Sequence, residues 1–446
     1  MTTRHCHEIG ASELVADLNA GRMALKDYLD AMTQYHQAVE PQVHAFAHQD
    51  PAIVRPQVER LDALRQMGLP LPPLYGVPIG IKDNIDTADY PTELGFEGAM
   101  GRTPSVDAFL VHRLRQAGAI IWGKTRSTEL AYMTPTITTN PRVPGHTPGG
   151  SSSGSAAAVA SGQVPVAVGT QTNGSVIRPA SFCGVFGYKP SRGLIFNGGV
   201  LPCAPSLDQV GVFARQVEDL ADVAEAMIGG HERSDGALVF PMRLGEVCRT
   251  EPPLPPKLMF ARTPQWERMD PTAQAAFEEL IDELKDCMVV VDLHASVANA
   301  WGWHKTVMEA EMAHHLQPWV ETVGGKVGEP ISALMERSRA ITGPDYVMAR
   351  ERMQRAATSL DEYFDHFDAI VTPATLGAAP SGLQSTGDPS MCTLWTFAGL
   401  PCVSCPWLGD DQGRPIGVQL VGAPKGDARL LRTARWLHPR LQAAAH

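Results

Sequence analysis

The sequence predicts an α/β fold, in which an α/β/α sandwich surrounds a large, mostly parallel or mixed, twisted β-sheet. Short β-prone runs alternate with helical stretches along most of the chain, a pattern typical of sheets that contain parallel strands. The chain has 446 residues, 44% of them hydrophobic and 19% charged. That length is ample for a large core, and that composition is typical of an ordinary globular protein.

The first half of the chain predicts helices at the N-terminus and then alternating elements. Ser12 can cap the first helix, and Ile53, Val58, Leu61 and Leu64 lie near one face of the third. The predicted helices are 12–19, 25–39, 51–67, 106–116, 156–160 and 218–228, and the predicted strands are 76–81, 119–122 and 164–168.

The second half begins after a proline-rich break at 252–256. That break is either a domain boundary or a surface loop, and we favour the loop. One domain is therefore predicted over 1–446, with N-terminal helices at 10–70, a core at 74–230 and a C-terminal part at 257–440. The predicted strands are 257–261, 288–293, 369–373, 402–405 and 417–421, and the predicted helices are 272–285, 301–319, 344–364 and 428–437.

Composition and charge argue against several classes of protein. The formal net charge of −11 and a pI near 5.7 argue mildly against a nucleic-acid surface. No apolar run reaches eighteen residues, and the first residues lack the apolar core of a secretory signal, so we expect a cytoplasmic protein without a membrane span. Eight cysteines make no disulfide framework, and Cys402 and Cys405 have no second pair to complete a zinc site. We expect no metal.

The segment 149–179 is the most informative part of the chain. It combines four serines in its first seven residues with a helix of small residues, a short apolar strand and a loop at 169–174. Ser175 follows that loop, on a turn where backbone N–H groups can converge. A serine there is a candidate nucleophile, although many glycine-flanked serines are simply turn residues. Because a hydroxyl is a weak nucleophile, it would need a base.

Lys82 is one candidate for the base. It follows the apolar run 76–81, where low polarity would lower its pKa, and a neutral lysine can accept a proton from a serine. A solvated lysine at a strand end is the plain alternative. The chain also has fifteen histidines, so a Ser-His-Asp triad with distant partners stays open.

The segment Gly118 to Thr125, GAIIWGKT, matches the phosphate-binding loop pattern. Its four central residues are bulky and β-prone, which favours a strand over a loop bent around a phosphate. A helix also precedes it, where the pattern requires a strand. A nucleotide-binding protein is kept as an alternative.

Several ordered motifs resemble the amidase signature family of serine hydrolases. They include GVPIGIKDNI at 76–85, GGSSSGSAAAVASG at 149–162 and GTQTNGSVIRPASFCGVFGYKPSRG at 169–193. Further similar motifs are AGAIIWGKTRSTELA at 117–131, SLD at 206–208, GLP at 399–401 and IGVQLVG at 416–422. The resemblance runs from about residue 10 to 435, and so long an ordered set is highly specific.

The resemblance implies a Ser–Ser–Lys triad and no metal or cofactor. Ser175 aligns with the family's nucleophile, Ser151 with its bridging serine on a cis peptide bond, and Lys82 with its base. The implied reaction is hydrolysis of a small amide, carbamate or urea-like compound, and many members are homodimers. The implied oxyanion hole is formed by backbone N–H groups of Thr172, Asn173, Gly174 and Ser175.

Two other functions remain open within the resemblance. One is the amidase subunit of a tRNA-dependent amidotransferase, which usually carries Asp where this chain has Gln171. The other is a binding protein that has lost its triad, but all three triad positions are intact here.

Two residues near the nucleophile are candidates for substrate binding. Asn173 stands where the family usually has glycine; it is either a tolerated substitution or a side chain that contacts a substrate carbonyl. In some relatives with the same SVIRP sequence, the arginine at position 178 contacts an acidic group on a small substrate, and a structural salt bridge is the alternative. The specificity region is expected within 301–342.

Overall fold

The computed structural model describes residues 5–232, 238–239 and 242–444. The helices are α1 Ala11–Asn19, α2 Leu25–Val43, α3 Pro51–Gln66, α4 Phe109–Gln116, α5 Ser153–Ala160, α6 Ile177–Cys183, α7 Val217–Met227, α8 Leu244–Arg249, α9 Pro271–Glu283, α10 Ala300–Thr322, α11 Glu329–Ser338, α12 Gly343–Asp361, α13 Ser390–Ala398 and α14 Asp427–Ala444. The strands are β1 Phe46–His48, β2 Pro78–Lys82, β3 Ile120–Thr125, β4 Val166–Gln171, β5 Phe186–Lys189, β6 Gln209–Ala214, β7 His231–Glu232, β8 Leu238–Val239, β9 Leu258–Arg262, β10 Met288–Asp292, β11 Ala369–Pro373, β12 Cys402–Gly409 and β13 Pro415–Val421.

Eleven of these strands form one mixed sheet in the order β1-β3-β2-β4-β6-β5-β12-β13-β11-β9-β10. Parallel pairs lie towards the two ends, where β2 pairs with β3 and β4, and β9 pairs with β10 and β11. The middle of the sheet, from β4 to β11, is antiparallel. The connection from β12 to β13 is too short for the crossover that a parallel pair needs. The predicted α/β sandwich is confirmed, and its sheet is of the mixed kind.

Helices cover the sheet in layers. The pair α5 and α6 packs on the strands and on each other, and so does the pair α7 and α14. Helices α10 to α13 form a further group around a second apolar cluster. Among the described residues, no helix has the length and apolar character that a membrane span requires.

The small residues of α5 are explained by its close approach to the strand layer. A Cβ atom at Gly154 would collide with the carbonyl oxygen of Ala45 and the backbone of Arg126. The apolar strand predicted at 164–168 corresponds to β4, which spans Val166–Gln171. It ends directly before the loop that leads to Ser175. The strand therefore carries the chain to within four residues of Ser175.

Candidate active site

Lys82 is the last residue of β2, which lies between β3 and β4. Its side chain is 0% exposed. Burial lowers the pKa of the amine to about 7, with Cys203 and Asp208 acting in the opposite direction. Its Nζ atom donates to Ser151 Oγ at 2.8 Å and to Thr170 Oγ1 at 2.9 Å. Two of the three predicted triad residues are thus in direct contact.

Ser151 is buried just before α5. The peptide bond between Gly150 and Ser151 is cis, as the resemblance implies. Gly149, two residues before Ser151, has a φ of +84°. There is no room for a side chain at this position, because a Cβ atom would lie 2.8 Å from Cα of Pro179. The glycine pair lets the chain pass close to the start of α6 and brings Ser151 to the amine.

Ser175 lies between the end of β4 and the start of α6 and is half-buried. It lines a cavity together with Thr172, Asn173, Gly174 and Arg178. The cavity is narrow, with a volume of about 40 Å³, room for only a few water molecules. The structure therefore brings the nucleophile candidate and the predicted oxyanion residues to one small cavity.

Gln171 and Thr396 of α13 hold the loop that precedes the nucleophile candidate. The Gln171 Oε1 atom accepts hydrogen bonds from the backbone N–H groups of Val176 (2.7 Å) and Ile177 (3.0 Å), and its Nε2 donates to Thr396 Oγ1. Thr396 Oγ1 in turn donates to the carbonyl of Asn173 at 2.6 Å. A glutamine at 171 therefore ties both ends of the loop to the scaffold.

The Asn173 side chain also lines the cavity. Its Oδ1 atom accepts a hydrogen bond of 2.8 Å from Thr393 Oγ1. The Nδ2 group is therefore the part of this amide that can donate to a substrate carbonyl.

Thr172 is held by two residues that the sequence did not single out as functional. Its Oγ1 donates to Asp208 Oδ1 at 2.6 Å, and its carbonyl oxygen lies 3.1 Å from Nε2 of His304. Burial raises the pKa of Asp208 to about 6 and lowers that of His304 to about 4. Asp208 belongs to the SLD motif, whereas His304 was marked only by lying within the expected specificity region.

Arg178 is 3% exposed and lines the same cavity as Ser175. Its Nη2 donates to the carbonyl of Gly150 at 2.7 Å and to Thr386 Oγ1 at 3.3 Å. Among the described residues, no carboxylate forms an ion pair with it, and its Nε and Nη1 atoms have no hydrogen-bond partner. The salt-bridge alternative is thus not observed, and burial without a paired anion lowers the pKa of the guanidinium to about 10.

A second cavity, of about 230 Å³, adjoins the first, and the two share Tyr132, Asn173, Met308 and Pro389. We call it the outer cavity. Charged side chains line it, including Lys305 and the ion pair of Glu309 with Arg337 at 2.7 Å. Within the expected specificity region 301–342, the residues that line one or both cavities are Trp301, His304, Lys305, Met308, Glu309, Met312 and Arg337.

The phosphate-loop alternative at Gly118 to Thr125 is not supported by this geometry. Residues Ile120–Thr125 are strand β3, where backbone N–H groups pair with neighbouring strands. Lys124 is fully buried, and its Nζ donates to Thr92 Oγ1 at 2.6 Å and to the carbonyl of Ile85. In the described part of the chain, no group of three or more His, Cys, Asp or Glu side chains is placed to hold a metal ion.

The chain is similar to known proteins over nearly its whole length. The model of the family described as Amidase matches residues 27–431. The chain is 32% identical to a glutamyl-tRNA(Gln) amidotransferase subunit of Chloroflexus aggregans, over 97% of this chain and 96% of that protein. It is 30% identical to AtzE, a subunit of the 1-carboxybiuret hydrolase of Pseudomonas sp. (strain ADP), over 95% and 97%. The structure of the peptide amidase from Stenotrophomonas maltophilia superposes with a TM-score of 0.82 and 26% identity, over 98% and 97%.

Proposed function

Because this chain belongs to the amidase family, we propose that it hydrolyses a small amide, carbamate or urea-like compound through an acyl-enzyme on Ser175. The observation that carries the proposal is the contact of the buried Lys82 amine with Ser151 Oγ at 2.8 Å. A lysine whose pKa is about 7 is largely neutral at slightly alkaline pH, and a neutral amine can act as a base.

In the proposed reaction, one net proton passes from Ser175 through Ser151 to Lys82 and is then delivered to the leaving group. Neutral Lys82 takes the hydroxyl proton of Ser151 while Ser151 takes that of Ser175, and Ser175 Oγ bonds to the substrate carbonyl carbon. The same relay returns a proton to the leaving nitrogen as the C–N bond breaks, which releases ammonia or an amine. Water then attacks the acyl-enzyme, frees the acid and restores the serine.

Backbone N–H groups of Thr172, Asn173, Gly174 and Ser175 are the proposed donors to the oxyanion. One such donor contributes about 3 kcal/mol to the stability of the transition state. The hydrogen bonds made by Gln171 and Thr396 support this proposal. They fix the loop before the reaction, so the N–H donors need no reorganisation during it.

We propose that Arg178 binds a carboxylate carried by the substrate. A buried guanidinium without a paired anion, on the wall of the cavity that Ser175 lines, favours an acidic ligand. The narrow cavity favours a short acyl group. Malonamate, which has a carboxylate one carbon from its amide, is a suitable probe, and neutral malonamide is its matched control.

The substitution Arg178→Gln is expected to lower kcat/KM for malonamate at least about 30-fold more than for malonamide, since it removes a charge-assisted hydrogen bond. Arg178 also contacts the carbonyl of Gly150, so some loss on both substrates is expected, and the ratio is the informative quantity. Arg337→Gln is the control, because Glu309 already pairs that guanidinium. Equal losses on both substrates would show that Arg178 does not bind the carboxylate.

Asn173 is proposed to contact a substrate carbonyl through Nδ2. Replacement by glycine is expected to change the relative kcat/KM values across a panel of malonamate, aryl amides, carbamates and biuret. An unchanged ranking would mean that Asn173 is only a tolerated substitution.

A second candidate function is the amidase subunit of a tRNA-dependent amidotransferase, which the near full-length match to an amidotransferase subunit supports. The two functions differ in their need for partners. We expect the purified chain alone to hydrolyse members of the amide panel. Glutaminase activity that appears only when the other amidotransferase subunits are added would favour the second function. The family resemblance implies a homodimer, which light scattering tests. The cytoplasmic location is an expectation from the sequence.

A further inference from the structure

We propose that His304 is a positioning residue that fixes the direction of the Thr172 carbonyl and, through it, the backbone N–H of Asn173. This inference rests on the proposed function, because it assigns the residues 172–175, here called the oxyanion loop, to stabilisation of the tetrahedral intermediate. His304 itself need touch neither substrate nor the reacting atoms.

The contact of His304 with the loop fixes the state of its ring. Nε2 lies 3.1 Å from the carbonyl oxygen of Thr172, and the residue is 1% exposed. A carbonyl oxygen only accepts hydrogen bonds, so Nε2 must carry the proton. Burial lowers the pKa of this ring to about 4, which makes it neutral at ordinary assay pH. It therefore acts through the direction of its hydrogen bond and not through a charge.

The planar peptide group passes this constraint to an oxyanion donor. The carbonyl of Thr172 and the N–H of Asn173 belong to one planar unit and point in opposite directions when the bond is trans. A donor that holds the carbonyl on one side therefore aims the N–H towards the other side. Without His304, the carbonyl of Thr172 would lose this hydrogen-bond donor, and the peptide plane would be free to rotate towards another.

A second contact of the same kind holds the next peptide plane. Thr396 Oγ1 donates to the carbonyl of Asn173 at 2.6 Å, which sets the direction of the N–H of Gly174. The side chain of Thr172 is anchored separately, on Asp208. Two successive carbonyls of the oxyanion loop are thus held from the scaffold, one by α10 and one by α13, and the two N–H groups opposite them are proposed donors.

The test compares a substitution that keeps a donor with two that remove it. Glutamine can place Nε2 near the position of the histidine Nε2, whereas leucine and methionine cannot donate. Kinetics are measured on malonamate, or on the panel member that the wild-type protein hydrolyses fastest. His304→Leu is expected to lower kcat about 10- to 100-fold with KM changed less than about threefold, since the donors act mainly in the transition state. His304→Gln is expected to stay within about fivefold of wild type.

Inhibition by methylboronic acid gives an independent reading, because a boronic acid forms a tetrahedral adduct with a serine nucleophile. We expect its inhibition constant to rise for His304→Leu by about the factor by which kcat falls, and product inhibition to stay unchanged. His314→Leu is the matched control, since His314 is exposed on the same helix. If the leucine variant does not fold, His304→Met, with a more adaptable side chain, takes its place.

The inference is overturned if the leucine or methionine variant keeps kcat within about twofold. It is also overturned if the glutamine variant loses as much kcat as those variants while all unfold at the wild-type temperature. Ser175→Ala, in the same assay, separates this result from the proposed function. Retained activity there removes the proposed function, whereas lost activity there with an unaffected His304→Leu removes only the role of His304.

Discussion

Replacement of Ser175 by alanine is expected to lower kcat/KM for amide hydrolysis by at least about 10⁴-fold, the scale seen when a catalytic serine is removed. Ser175 lines the cavity, and the side-chain contacts that hold the oxyanion loop come from other residues: Asp208, His304, Thr393 and Thr396. We therefore expect the variant to fold like wild type, with an unchanged unfolding temperature and an intact oxyanion loop. Kinetics on the amide panel and thermal unfolding measure these two results.

A matched control comes from the same glycine- and serine-rich segment. Ser161 lies at the end of α5, and its Oγ donates to the carbonyl of Ala157 at 2.7 Å. Ser161→Ala should leave kcat/KM within about threefold of wild type, because it changes no group of the cavity. An acyl adduct detected by mass spectrometry on the peptide that contains Ser175 would identify the nucleophile directly. Retained activity in Ser175→Ala would contradict the mechanism.

Local patterns in the sequence predict the elements around the proposed triad. The apolar runs at 76–81 and 119–122 are β2 and β3, and the run of small residues after the serines is α5. These elements are buried on every side, so they consist of continuous runs of apolar or small residues. Such runs can be recognised in a single sequence. That Lys82 and Ser151 act together is implied by the family resemblance, because local patterns do not show which parts of the chain come into contact.

Other elements left little trace in local patterns. Strand β5 lies between two glycine-containing turns and carries a buried lysine, Lys189, whose Nζ donates to Gln209 Oε1 at 2.7 Å. Helix α13 is buried along its whole length and has no amphipathic face to detect. The contact of His304 with Thr172 joins residues 132 positions apart. Such a long-range contact depends on how α10 packs against the loop. The spacing of residues in a single sequence does not predict this packing.

The lowered pKa of Lys82 is expected to determine how kcat/KM depends on pH. The pKa of this amine is lowered to about 7 by burial, and the base must be neutral to accept a proton. Log kcat/KM should therefore rise with slope of about 1 as the pH increases towards 7 and level off above it. The sign follows from the acceptor role, because a group that acted as the charged acid would give activity that falls with pH.

Two other titratable groups near the site must be separated from Lys82. Burial raises the pKa of Asp208 to about 6, and that of the Cys203 thiol lies far above its usual value. Of these two groups, only Asp208 can therefore titrate near the rise in activity that is expected as the pH approaches 7. Asp208→Asn should keep the rise in activity but move it to lower pH, because the charge of Asp208 raises the pKa of Lys82. A lower plateau is also expected, because the carboxyl accepts a hydrogen bond from Thr172.

Substitutions of Lys82 itself complete this test. Arginine stays charged at every accessible pH, so Lys82→Arg should lose at least about 10³-fold in kcat/KM and should not recover at alkaline pH. Lys124→Gln is the matched control, because Lys124 is equally buried on the neighbouring strand and its pKa is lowered to about 8. That variant should keep the rise in activity near pH 7. Loss of the rise in activity near pH 7 in Lys124→Gln or Asp208→Asn, or an active Lys82→Arg, would assign the base to another residue.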